Sequence, residues 1–180
     1  VVINTKYRAS CSCVFSSDRL LVVLLARTLI INVYFPRTST IDYKDITLDI
    51  IGKLENILLN NSFDSIIFGG DLNCNLDVSS WSSDLISEFM LYNNLTNCEC
   101  KWSDLSKVTY HHDTLHLYSC IDYFFVSTHL VGDVIAAEIS DYSINQSDHY
   151  PIIITFSEFN YDSVPTDNRK NNSTGTVSKI

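Results

Sequence analysis

Residues 65–77 read SIIFGGDLNCNLD. SIIFGG is an apolar run of strand length that ends on two glycines, and DLNCNLD is a polar loop. A buried strand is therefore predicted to carry Asp71 and Asn73 at its mouth. Asp and Asn bond local backbone well, and taken alone the two residues read most simply as a turn cap. They stand at i and i+2, however, so in extended backbone both side chains leave the same side. A carboxylate beside an amide can orient water, a metal ion or a phosphate oxygen.

Working outward, three more stretches place polar side chains at the mouth of an apolar strand: NVYFP (32–36), SCIDYF (119–124) and QSDHYP (146–151). Asp122 lies among Ile, Tyr and Phe, where an unpartnered carboxylate is strongly unfavourable. His149 is its natural partner, because an Asp–His hydrogen bond fixes the imidazole tautomer and raises its basicity. Asp148, next to His149, is then free to hold a cation. Tyr34 alone reads as ordinary strand filler. Each bland reading is comfortable singly, and together they are not.

The rest of the chain supplies a frame for these clusters. VFSSDRLLVVLL (14–25) and TLIINVYF (28–35) read as two strands joined at the Ala26–Thr28 turn, with Pro36 ending the second. In residues 41–60, Ile46, Ile50, Leu54, Ile57 and Leu58 fall on one face of an amphipathic helix. WSSDLISEFMLYNNL (81–95) predicts a second helix with Ser79 or Ser80 at its cap. CIDYFFVS (120–127), DVIAAEIS (133–140) and PIIITF (151–156) predict further strands, while HHD (111–113) reads as a solvated loop. From Glu158 to Ile180 the chain is poor in apolar residues and rich in Asn, Ser and Thr, as in a disordered tail or linker.

Composition limits what such a frame can do. At 180 residues with 46% hydrophobic content the chain fits one domain, and its short apolar runs suit a mixed α/β fold. LLVVLLARTLIINVYF (20–35) is interrupted by Arg27 and is a poor membrane span. VVINTKYRAS lacks a secretory pattern, so an intracellular protein, nuclear or cytoplasmic, is expected. A net charge of −9 disfavours tight nonspecific binding of phosphates. It suits clustered carboxylates around a divalent cation, which reverses the local sign. The Cys11/Cys13 and Cys98/Cys100 pairs are spaced too closely for a usual zinc site and read as ordinary reduced thiols.

In this order, NVYFP, IIFGGDLNCNLD, SCIDYFFVS and SDHYPIIITF resemble the last four motifs of the endonuclease/exonuclease/phosphatase (DNase I-like) family. That family includes pancreatic deoxyribonuclease, abasic-site endonucleases and the endonuclease domains of non-LTR retrotransposons. The match covers about residues 14–157, and Thr109-Tyr110 ahead of SCIDYFF is similar to the retrotransposon branch. The resemblance implies an α/β fold of two face-to-face β-sheets flanked by helices, in four layers, with residues 1–157 as the domain and 158–180 as a tail or linker. It also implies hydrolysis of phosphodiesters or phosphomonoesters with Mg²⁺ or Mn²⁺. By carry-over, His149 bonded to Asp122 is general base or phosphate contact, Asp71 positions the attacking water, and Asn73 contacts the phosphate. Tyr34 then bonds a phosphate oxygen, Asp148 is a metal ligand, and Asn32 is structural.

The family's first two motifs, an Asn ending one strand and a Gln-Glu pair ending the next, have no counterpart here, since Asn4 is the only early Asn. The resemblance therefore implies a domain incomplete at its N-terminus and a metal site lacking its main carboxylate. The expected protein is a retrotransposon-type DNA endonuclease domain, weak or inactive as this chain, with DNA as substrate, no membrane partner and a link to a reverse transcriptase in a longer product. The alternatives are a non-catalytic remnant of the fold and a phosphatase acting on inositol phosphates or phospholipids.

Overall fold

The computed structural model describes residues 4–98, 108–112, 114–140 and 147–157. The tail reading of 158–180, Cys100 and Asp113 lie outside the described residues.

After a 3-10 turn at Thr5–Ser10 come β1 (Cys11–Ser16), β2 (Leu20–Leu25) and β3 (Thr28–Tyr34). The single strand expected over 14–25 is thus two. Ser17 breaks it, its Oγ accepting the N–H groups of Arg19 and Leu20 in a tight polar turn between apolar flanks. A two-residue loop then joins β2 to β3, with Ala26 at φ 53° and Leu25 paired to Thr28. α1 (Tyr43–Asn60) carries the chain back to β4 (Ser65–Asp71), which lies parallel to β3.

α2 (Trp81–Tyr92) starts at Ser80, whose Oγ accepts from Ser83 N–H while the Ser83 hydroxyl accepts from Ser80 N–H. It ends short of the expected 95 because Asn94 turns left-handed at φ 52°, and β5 (Leu95–Asn97) follows. β6 (Tyr110–His112) and β7 (Leu117–Ser119) form a hairpin where a solvated loop was expected. His111 is in strand, its ring tilted against Tyr150 at 5.0 Å between centroids, an aromatic contact that spacing alone does not announce. β8 (Asp122–Ser127), β9 (Val134–Ile139) and β10 (Ile152–Phe156) complete the set, each within its predicted stretch.

The main sheet has the order β1-β2-β3-β4-β8-β5, and β9 pairs with β10 in a separate two-stranded sheet. Side chains alternate along the central strands. Leu29, Ile31 and Val33 of β3, Ile66 and Phe68 of β4, and Phe125 of β8 close against Ile50, Leu54 and Ile57 of α1 and Ile86, Phe89 and Met90 of α2. On the opposite face Ile67 and Val126 pack with Val134, Ala137, Ile154 and Phe156 of the small sheet. The described residues thus build helices, a mixed sheet and a second sheet layered face to face, the α/β arrangement expected.

Two glycines decide where β4 delivers its last residue. A Cβ on Gly69 would lie 2.5 Å from the Phe124 ring, and one on Gly70 would lie 2.0 Å from the Val33 carbonyl oxygen. Gly70 also has φ 139°, a conformation closed to side chains. The Gly-Gly pair lets β4 press against both neighbours and still end on Asp71.

Candidate active site

The register sets the site. Tyr34 of β3 pairs with Asp71 of β4, and Asp71 pairs with Asp122 of β8, so the three stand on one rung at one end of the sheet. All three point away from the helices, toward the face shared with the small sheet. His149 reaches the same rung from the segment before β10, held by a bridge to Tyr110. Its Nδ1 lies 3.0 Å from Asp122 Oδ2, the partnership expected, and its Nε2 lies 3.9 Å from Asp71 Oδ2. Ligand atoms of Asp71, Asp122 and His149 fall within 4.8 Å of one another, the metal-capable group among the described residues.

Around them opens a cleft of about 600 Å³ lined by Ile30, Asn32, Tyr34, Ile67, Phe124 and His149 among others. Tyr34 is 40% exposed, with the Arg19 guanidinium 5.0 Å above its ring. Asp148 is exposed beside His149 and lies outside the close Asp71–Asp122–His149 group.

Asn73 differs from its expected posture. Its backbone is left-handed at φ 49° rather than extended. Its N–H donates to Asp71 Oδ1 and its amide to Asp71 Oδ2 and the Phe35 carbonyl. One carboxylate therefore both closes the turn and faces His149.

Burial, reinforced by the Asp122 carboxylate, pushes Asp71 up from 3.8 to about 6, against the pull of Asn73 N–H, His149 and Arg37. The bond to Asp122 raises His149 above its ordinary 6.5, helped by the charges of Asp122, Asp71 and Asp148 and opposed by partial burial. Asp71 is thereby poised to exchange a proton near neutrality.

Thr109 went unrecognised in sequence as a supporting residue. It is fully buried, and its Oγ accepts the N–H groups of both Ile121 and Asp122. Its carbonyl accepts from Tyr150 N–H, and its own N–H donates to the Ser119 carbonyl. One residue ties the start of β8 to the His149 segment, and Thr-Tyr before SCIDYFF was its only trace. Arg37, 6.0 Å from the Tyr110 ring and close enough to lower Asp71, gave no signal at all.

No protein-family model matches the sequence, and no curated protein does. Solved structures do. The 3′-5′ exonuclease NExo from Neisseria meningitidis superposes with a TM-score of 0.63 at 15% identity, over 78% of this chain and 65% of that one. A 3′ phosphatase NExo structure from Neisseria, bound to a product DNA hairpin, gives 0.61 at 13% identity, over 83% and 80%. The endonuclease domain of TRAS1, a telomere-specific non-LTR retrotransposon, gives 0.58 at 16% identity, over 79% and 64%. The chain spans about two thirds of the length of the exonuclease and of the retrotransposon domain. What these structures share with it, and what its own strand order and layering display, is the DNase I-like α/β fold.

Proposed function

We propose that this chain is a divalent-metal-dependent phosphodiester hydrolase of the retrotransposon DNA-endonuclease type, slow on its own. The observation that carries this is the convergence of Asp71, Asp122 and His149, from three separate strand mouths, within one small cavity. The solved neighbours named for exonuclease, phosphatase and endonuclease activity support the reaction class.

The donor set fits Mg²⁺ or Mn²⁺ loosely. Mg²⁺ takes oxygen ligands and keeps several waters, so one or two carboxylates plus substrate phosphate suffice. Asp148 would hold it together with a substrate phosphate oxygen, leaving Asp71 free for the attacking water while His149 is occupied by Asp122. A bound cation would offset the charge that builds on the phosphate oxygens in the transition state.

The chain's own residues account for the proton movements. Asp122 accepts from His149 Nδ1–H and turns Nε2 toward Asp71 and the cleft. Asp71, titrating about 6, is ionised at neutral pH and basic enough to take a proton from the attacking water. Water oxygen bonds to phosphorus, the phosphorus–oxygen ester bond breaks with the departing oxygen taking a proton from solvent, and His149 bonds a phosphate oxygen as charge develops. Tyr34, exposed on the rung, donates its phenol to a second oxygen. With Asp148 as the one carboxylate on the cation, at the lower end of what Mg²⁺ uses, its hold would be weak, which is why slow turnover is proposed. In a longer product such a domain would accompany a reverse transcriptase.

Supercoiled plasmid incubated with the purified chain and Mg²⁺ or Mn²⁺ tests the proposal. Slow nicking that stops with EDTA and with His149→Ala is expected. Release of phosphate from inositol phosphates without nicking would move the chain to the phosphatase branch, and neither activity would make it a non-catalytic relic.

A further inference from the structure

Positive charge is unevenly placed in this acidic chain. Arg27 is bound bidentately by Asp64 in the β2–β3 loop, at the end of the sheet opposite the site, and Arg8 precedes β1 at that same far end. Lys53 is paired with Asp49 midway along α1. Three other cations, Arg19, Arg37 and Lys44, each lie over an aromatic ring, at 5.0 Å from Tyr34, 6.0 Å from Tyr110 and 5.2 Å from Trp81.

All three pairs stand at the catalytic end. Tyr34 shares the rung with Asp71, and Tyr110 bridges His149 with its ring 5.0 Å from the imidazole. Lys44 is in the first turn of α1, just after β3 leaves that end, and Trp81 opens α2 just after β4 leaves it. Trp81 is partly exposed and stands edge-on to Tyr43, 5.9 Å between centroids at 89°. Asp42 and Asp45 flank Lys44, so the locality carries no net positive charge. Attraction for phosphate cannot be the main grip there. A braced indole ring can be.

We propose that Trp81, held by Tyr43 and Lys44, is a stacking platform for an unpaired base of the strand whose phosphate occupies the His149 cavity. The proposal rests on the nuclease reading and adds a substrate class to it: single-stranded or frayed nucleic acid over blunt duplex. Stacking needs an open base face and tolerates any base, and it suits a protein whose charge forbids a phosphate-only grip. Because few phosphates would be neutralised, affinity should fall only shallowly with salt.

Anisotropy of a labelled oligothymidylate of about 12 nucleotides, in EDTA to prevent turnover, decides the matter against a blunt hairpin of equal length. The wild-type chain should bind the oligothymidylate more tightly, Trp81→Leu should lose roughly tenfold, and Trp81→Phe should keep most of the affinity. Lys44→Ala, on an exposed side chain that leaves the fold alone, should weaken binding two- to threefold by roughly the value of an exposed cation–ring contact. Equal affinity of Trp81→Leu and wild type overturns the platform, and so does a preference for the blunt hairpin. Plasmid nicking separates the two readings: nicking that survives such a result leaves the nuclease standing, whereas a wild-type chain that neither binds nor nicks removes both.

Discussion

The two faces of the main sheet are built from the same strands and do opposite things. Toward the helices, Leu29, Phe68 and Leu54 have no exposure, and Phe68 packs with Phe89 and Phe125 at 6.4 and 6.2 Å between rings. Toward the small sheet, the intervening positions carry Asn32, Tyr34, Asp71 and Asp122 around an open cleft. One register fixes both, because a slip by one residue would exchange the faces. The difference teaches that at the mouths of β3, β4 and β8 stability and chemistry are assigned by parity, whereas farther along the small-sheet face Ile67 and Val126 are core again. Substitutions on the helix face should therefore move stability, and those at the strand mouths of the other face activity.

The sharpest separation comes from Phe68→Ala and His149→Ala. Removing the Phe68 ring from the closed face should destabilise by about 3–5 kcal/mol in chemical denaturation, with residual nicking falling only as the folded fraction falls. His149→Ala should instead lose roughly 10²–10⁴-fold in nicking with the denaturation midpoint moved far less than by Phe68→Ala. Were His149→Ala to unfold the chain, or Phe68→Ala to leave its midpoint in place, the division by face would be wrong.

The next contrast is in pH. Asp71 ionises at 3.8 ordinarily and at about 6 in the fold, so the folded state holds this proton more tightly. Its contribution to stability is therefore most favourable below the lower value, declines between the two, and stays about 3 kcal/mol worse above the higher one. His149 has the same slope in a higher window: its raised value stabilises the fold below 6.5, and that gain is lost as pH rises through the folded value. Asp71→Asn should then raise the melting temperature above pH 6 while abolishing nicking, and should flatten the acidic part of the profile while shrinking the His149 part, which the Asp71 charge helps to raise. An Asp71→Asn variant less stable than wild type at pH 8 would mean the turn bonds to Asn73 outweigh the buried charge.

Parity also explains what the sequence disclosed. Strands with alternating or continuous apolar residues, and the apolar face of α1, could be read directly, and so could Asp71, Asp122 and His149 as a set. Each is an expensive polar group where an apolar one is expected. Features set by backbone conformation were hidden: the Ser17 turn inside an apolar run, the left-handed Asn73, and the β6–β7 hairpin with few apolar residues. Thr109 was hidden for another reason. A threonine is ordinary just before a strand, and only the fold reveals what its hydroxyl accepts.

Thr109 offers the smallest and most discriminating test, since it is a fully buried polar residue that serves the active face without touching it. Thr109→Val keeps its shape and removes its oxygen, leaving the N–H groups of Ile121 and Asp122 short of an acceptor. The loss of stability should be about 2 kcal/mol. Its effect on turnover should exceed what that instability explains, because Asp122 would no longer be held where His149 Nδ1 needs it. A shift in the pH dependence of nicking would mark that displacement, and Thr109→Ser, which restores the hydroxyl, should bring back both stability and profile. If Thr109→Val moved stability alone and left the pH profile in place, Asp122 would be positioned by its pairing with Asp71, and Thr109 would belong with the residues that only hold the sheet together.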